Sequence, residues 1–220
     1  MRNLSLTIFA GCLMFLSGVS ALGQAPAAPP RPMSLTDSTL SNNVFRNHFF
    51  GFSMELPENW HRLDREDIET AKNIGAESIK ANDAKANAAV EKASAGVVPL
   101  LLYTKEPLGA GGNAAVGIEA YKQPSKFVTA KMIIEGTKSA YLKNPSTKLI
   151  EDSRMVVING REFQTMAFEI EVLQQRVPIR FYITIAKGYS LAFSVSSSDK
   201  VLLAKADAAL QTVRFDARQQ

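Results

Sequence analysis

The residues best suited to chemistry in this 220-residue chain are its two histidines, His48 and His61. They flank the segment Gly51 to Trp60, and Asp64 follows shortly after the second. An imidazole pair with a carboxylate can hold zinc or act as an acid/base couple. Neither His-Glu-x-x-His nor Gly-x-Ser-x-Gly accompanies them, so no motif turns the pair into a mechanism. Two edge or surface histidines are the ordinary reading. The sequence therefore assigns no catalytic, cofactor-binding or metal-binding residue. A metal or acid/base centre at His48 and His61 stays open as the alternative.

A second candidate is Gly109-Ala110-Gly111-Gly112-Asn113, whose glycines invite a phosphate-binding reading. The Lys-Ser/Thr that should follow is absent, and the loop leads into a strand rather than a helix. A hairpin loop is the expectation. The third candidate is Cys12, the single cysteine. It lies in a leader with Arg2 as a basic start, an apolar centre from Leu4 to Val19, and small residues Ala21 and Gly23 before Gln24. That is the layout of a secretory signal peptide, residues 1–23. Two other readings remain. An uncleaved anchor needs ~20 apolar residues, which Leu4 to Leu22 approaches. Lipidation at Cys12 is suggested by Phe9-Ala10-Gly11-Cys12, a loose match to a bacterial lipobox. Cleavage would leave a domain with no disulfide, no thiolate metal site and no thiol nucleophile. It would place that domain in the periplasm or outside the cell.

Lys plus Arg is 25 against 21 Asp plus Glu, a net charge of +4. That bias is too weak to argue for nucleic-acid binding.

The elements that must position these residues follow from the pattern. Residues 24–43 open with Ala25-Pro26-Ala27-Ala28-Pro29-Pro30-Arg31-Pro32, a disordered Pro/Ala-rich spacer. Ser34 to Asn43 is read as loop. A single domain covers 44–216, with a frayed tail at 217–220. Val44–Arg46 and Gly51–Leu56 form a small hairpin, and Trp60 plugs the core beneath it. Asp64 caps a long helix to about Ala95, with a thin inward stripe that includes Ile68, Ala71 and Gly75. Strands follow at 97–105 and 114–122. Ser125 caps a helix over 126–143 with Phe127, Ala130, Ile134, Thr137 and Tyr141 inward. Lys126, Lys131, Lys138 and Lys143 point outward, a solvated face that also admits an acidic partner or an anionic surface. Asn159-Gly160 marks a hairpin. Alternating strands then run through Ile185 and again from Tyr189 to Ser196, an antiparallel meander with one buried face and a second, mixed face that helices cover in part. Asp199 caps a last helix in which Val201, Leu202, Ala208 and Leu210 are apolar, and Val213–Phe215 closes the chain. The class is α+β, a central antiparallel sheet flanked by helices.

Three motifs in order add a resemblance. Asn47-His48-Phe49-Phe50-Gly51-Phe52-Ser53-Met54-Glu55-Leu56-Pro57-Glu58-Asn59-Trp60 resembles the opening of the PsbP-like superfamily. Gly188 to Val195 resembles its late strand, and Leu210-Gln211-Thr212-Val213-Arg214-Phe215 resembles its close. The resemblance spans 44–215. That superfamily includes the extrinsic PsbP subunit of photosystem II, a Ran-binding import factor and DcrB-type envelope proteins. It implies an α/β/α sandwich and a non-enzymatic adaptor or assembly role. The long Ala/Lys/Glu helix before Val97 departs from the compact pattern, and nothing photosynthetic is visible. The expectation is a secreted, non-enzymatic binding or assembly module without cofactor or nucleic acid. Its partner is another envelope or secreted protein, or a small ligand. A membrane enters only if the leader is retained or Cys12 is lipidated.

Overall fold

Asn159 and Gly160 stand at φ 46° and 82° in the computed structural model, the left-handed pair that a two-residue hairpin turn requires. They join β7 (Thr147–Ile158) to β8 (Arg161–Val172). Lys187 and Gly188, at φ 50° and 76°, join β9 (Gln175–Ala186) to β10 (Tyr189–Ser197) in the same way. Asn42 and Asn43, at φ 49° and 58°, join β1 (Ser38–Ser41) to β2 (Val44–Asn47). Strand β1 lies where the sequence reads as linker. Its polar residues pair with β2 because the Asn-Asn turn brings Leu40 opposite Phe45. The structure describes residues 33–78, 88, 95–108, 113–172 and 175–216. The leader 1–23, the Pro/Ala stretch to Pro32, most of the expected helix beyond Ser78, the glycines 109–112 and the tail 217–220 lie outside the described residues.

β1 and β2 continue into β3 (Phe52–Glu55) and β11 (Arg214–Phe215), a four-stranded sheet in the order β1-β2-β3-β11. The larger sheet adds β4 (His61–Arg62), β5 (Val97–Thr104) and β6 (Ala114–Lys122). Its order is β4-β5-β6-β10-β9-β8-β7, antiparallel throughout. Three helices are described: α1 (Arg65–Ser78), α2 (Ala130–Tyr141) and α3 (Lys200–Leu210).

The large sheet is buried on both faces. Phe163 and Phe193 face the small sheet, where Phe45, Phe52 and Met54 meet them together with Leu210 of α3. Trp60 joins this core, stacked on Tyr103 at 6.4 Å. On the opposite face α2 lays Ile134 and Tyr141 on Met166, Phe168, Ile170 and Phe181. There α1 also sets Ala71 against Leu63, Leu102 and Ala115. The molecule is an α+β sandwich, with helices on both faces of a central antiparallel sheet.

Three sequence expectations change. The apolar sets of the meander strands do not share one face. Ile183 lies under α2, whereas Phe193 lies opposite Tyr182 and faces the small sheet. The Lys187-Gly188 turn fixes that register, so the apolar set changes sides between β9 and β10. Helix α2 starts at Ala130, capped by Thr129, whose Oγ1 accepts from Met132 N at 3.2 Å. Ser125 instead closes a turn, accepting from Phe127 N at 3.2 Å. Phe127 is thereby thrown outward and is 76% exposed. In α3 the inward residues are Ala206, Ala209 and Leu210, with Leu202 and Leu203 half-buried, while Val201 and Ala208 are exposed.

Candidate functional site

The histidines do not converge on one centre. His48, in the β2–β3 turn, puts Nε2 3.3 Å from Thr39 Oγ1. His61 pairs with Thr104 at the edge of the other sheet. Asp64 caps α1, its Oδ1 accepting from Asp67 N at 2.9 Å. Among the described residues, no three His, Cys, Asp or Glu side chains gather where they could hold a metal.

The ionisable groups placed in the interior serve the fold. Arg180 on β9 donates to Asp207 on α3 at 2.9 Å and to Glu151 on β7. Tyr182 donates to the other oxygen of Asp207 at 2.7 Å. Burial, reinforced by the Asp207 carboxylate, pushes the Tyr182 hydroxyl up to about 12. Burial works against the Arg180 charge, but Asp207, Tyr182 and Glu151 more than offset it. This network pins α3 to the sheet. Glu119 on β6 lies between Pro99 and Ala192 under the helices, and burial pushes its carboxyl up to about 8, against the pull of Lys72.

The open feature lies at the other end of the sheet. Lys138 of α2 donates to Asp152 of β7, and Ser153 of β7 donates to Glu135 of α2. Those contacts hold the middle of the helix against the edge strand. Toward its N-terminus the helix leaves a groove of about 620 Å³ above the β7–β8 hairpin. Val128, Thr129, Lys131, Glu162, Gln164 and Ile185 line it. Arg161 also lines it, but its guanidinium donates to Thr184 and to the Ile185 carbonyl and lies 4.9 Å from the Phe215 ring centroid. That cation is thus engaged on the opposite face.

Met155 and Val157 extend the groove's face across β7, in register with Gln164 and Glu162. They are 55% and 61% exposed. Met132, one turn before Glu135 on α2, is 59% exposed. β7 is the outer strand of the sheet. Its first half is irregular between Leu149 and Glu151 and between Glu151 and Arg154, whereas Arg154 to Ile158 pairs without interruption. The site is a shallow, mainly apolar groove beside a strand edge that no described strand pairs. Sequence reasoning missed Met155 and Val157. Apolar residues in a strand read as core, and only the placement of α2 leaves them uncovered.

Neither a family model nor a curated protein matches the chain. Solved structures do. The solution structure of cyanobacterial PsbP (CyanoP) from Synechocystis sp. PCC 6803 is similar at TM-score 0.48 and 11% identity, covering 87% of this chain and 100% of that one. The crystal structure of LpqN, involved in cell envelope biogenesis of Mycobacterium tuberculosis, is similar at TM-score 0.44 and 10% identity, covering 74% and 81%. Among the described residues, no helix is long and apolar enough to cross a membrane.

Proposed function

We propose that this chain is a non-enzymatic binding or assembly module, exported by its leader, that holds an extended segment of a partner protein on the free edge of β7. One observation carries the reading: Met155 and Val157 are exposed on the uninterrupted end of an outer strand, next to an open groove. An unpaired edge supplies backbone donors and acceptors, and alternate apolar side chains supply specificity, which is what strand addition uses. Natural sheets blunt such edges unless they are used. The opposite edge is blunted: its outer strand β4 is only two residues long, and β5 behind it carries Pro99 and an irregularity between Pro99 and Leu101.

A cross-linked pull-down from the cell envelope tests the proposal. The wild-type protein is expected to bring down one partner in near-stoichiometric amount, and the Met155→Arg/Val157→Arg variant to lose it. Equal recovery with both proteins, or no partner with either, would overturn the reading.

A further inference from the structure

We infer that the loop between β6 and α2 docks on an anionic lipid surface, with Phe127 as the inserted side chain and lysines as the charged collar. This goes beyond the β7 reading, since Phe127, Lys122 and Lys126 do not line the groove.

Among the described residues, Phe127 is the most exposed of the large apolar side chains. It is not a loose residue awaiting a core. Phe127 N donates to Ser125 Oγ and Val128 N donates to Ser125 O, both at 3.2 Å, and Thr129 then starts α2. The loop's own hydrogen bonds therefore hold the ring outward. Met132, in the first turn of α2, adds a second exposed apolar side chain.

The charge carried by the loop and the first turn of α2 has one sign. From Lys122 to Ile134 the sequence contains Lys122, Lys126 and Lys131 and no acid. None of the three forms an ion pair among the described residues, in contrast to Lys138, which meets Asp152 and Glu135. The Lys126 ammonium lies 5.4 Å from the Phe127 ring. Gln123 N donates to Gly188 O at 2.9 Å, which brings the Lys187–Gly188 turn alongside the loop, though the Lys187 ammonium is engaged by the Phe49 carbonyl and ring and is not counted in the collar. Glu162, in the groove, is a nearby acid that forms no ion pair among the described residues.

The type of cation selects the partner class. Protein–protein interfaces favour Arg and are depleted in Lys. A lone aromatic ringed by long lysines suits the headgroup boundary, where the ring enters the acyl region and the lysine stems reach back to phosphate. Each lysine near an anionic leaflet adds attraction that falls off within a Debye length.

The test is co-sedimentation of the native exported protein with phosphatidylcholine vesicles, with and without phosphatidylglycerol. Binding is expected to strengthen by at least about tenfold with phosphatidylglycerol and to weaken with added salt. Phe127→Ser should reduce it by about tenfold, and Lys122→Glu/Lys126→Glu should abolish it. All these positions are exposed, so both variants should keep the wild-type melting temperature. Met155→Ser/Val157→Ser, which adds no charge, should bind vesicles as the wild type does, which separates this surface from the β7 site. Binding that ignores phosphatidylglycerol, or that both loop variants retain, would overturn the inference and leave anchoring to the leader. Failure of the wild type to sediment would overturn it too. A protein partner lost on Lys126→Glu would then make this an acidic-protein site.

Discussion

Glu119 is a carboxyl on a central strand, set between Pro99 and Ala192 and held near 8 by burial. Its folded value lies above the ordinary 4.5, so the folded protein keeps the proton that the unfolded chain releases. The group's contribution to stability is fully present below about 4.5 and is lost as pH rises through about 8. Glu119→Gln keeps a neutral side chain of the same shape. Denaturant titrations of the two proteins should therefore agree near pH 4.5. Above pH 8 the variant should be more stable by roughly 2–4 kcal/mol, and a wild-type pH slope retained by the variant would contradict this. Asn47 shows how much a residue's type discloses. Its place in a turn is legible in Asn47-His48-Phe49-Phe50-Gly51, and its Oδ1 does accept from Phe50 N at 2.8 Å. Its Nδ2 also donates to Leu35 O at 2.7 Å, tying the preceding segment into the fold. No local pattern announces that second bond, because its acceptor is a backbone carbonyl twelve residues away.

Turns and caps decide where the elements run. Asn159-Gly160 was legible because few residues tolerate left-handed backbone at two successive positions. At Gly160 a Cβ would meet nothing within 4 Å, so replacement there costs conformation and not packing. Gly160→Ala should lower stability by about 1 kcal/mol with the sheet intact, seen as a lower unfolding midpoint at unchanged m-value. A loss several times larger would mean that the hairpin register depends on this turn more than its contacts indicate. Helix α2 was less legible at its start. Ser125 and Thr129 are both good caps, and the apolar stripe extends back to Phe127 without a break. Side-chain bonding at Ser125 competes with helix extension and wins. That single choice moves Phe127 from core to surface.

At the scale of the molecule, the α+β class and the antiparallel meander followed from period and turn residues. The division of the strands into two sheets, and which face each apolar set takes, did not. The choice of face depends on parity across the Lys187-Gly188 turn, which shifts no residue type and leaves no mark on composition. The groove was illegible for a related reason: it is the space left where α2 crosses the sheet short of the β7–β8 hairpin. Met155 and Val157 look like core residues until that crossing is known. The account rests on their being a contact surface and not an unfinished core. The most direct measurement places a photoreactive side chain at Val157 in the exported protein, with exposed Ala204 on α3 as the control. Illumination of cells should give one discrete adduct at position 157 and none at position 204. No adduct at 157, or the same spread of adducts at both positions, would contradict the binding role assigned to this edge.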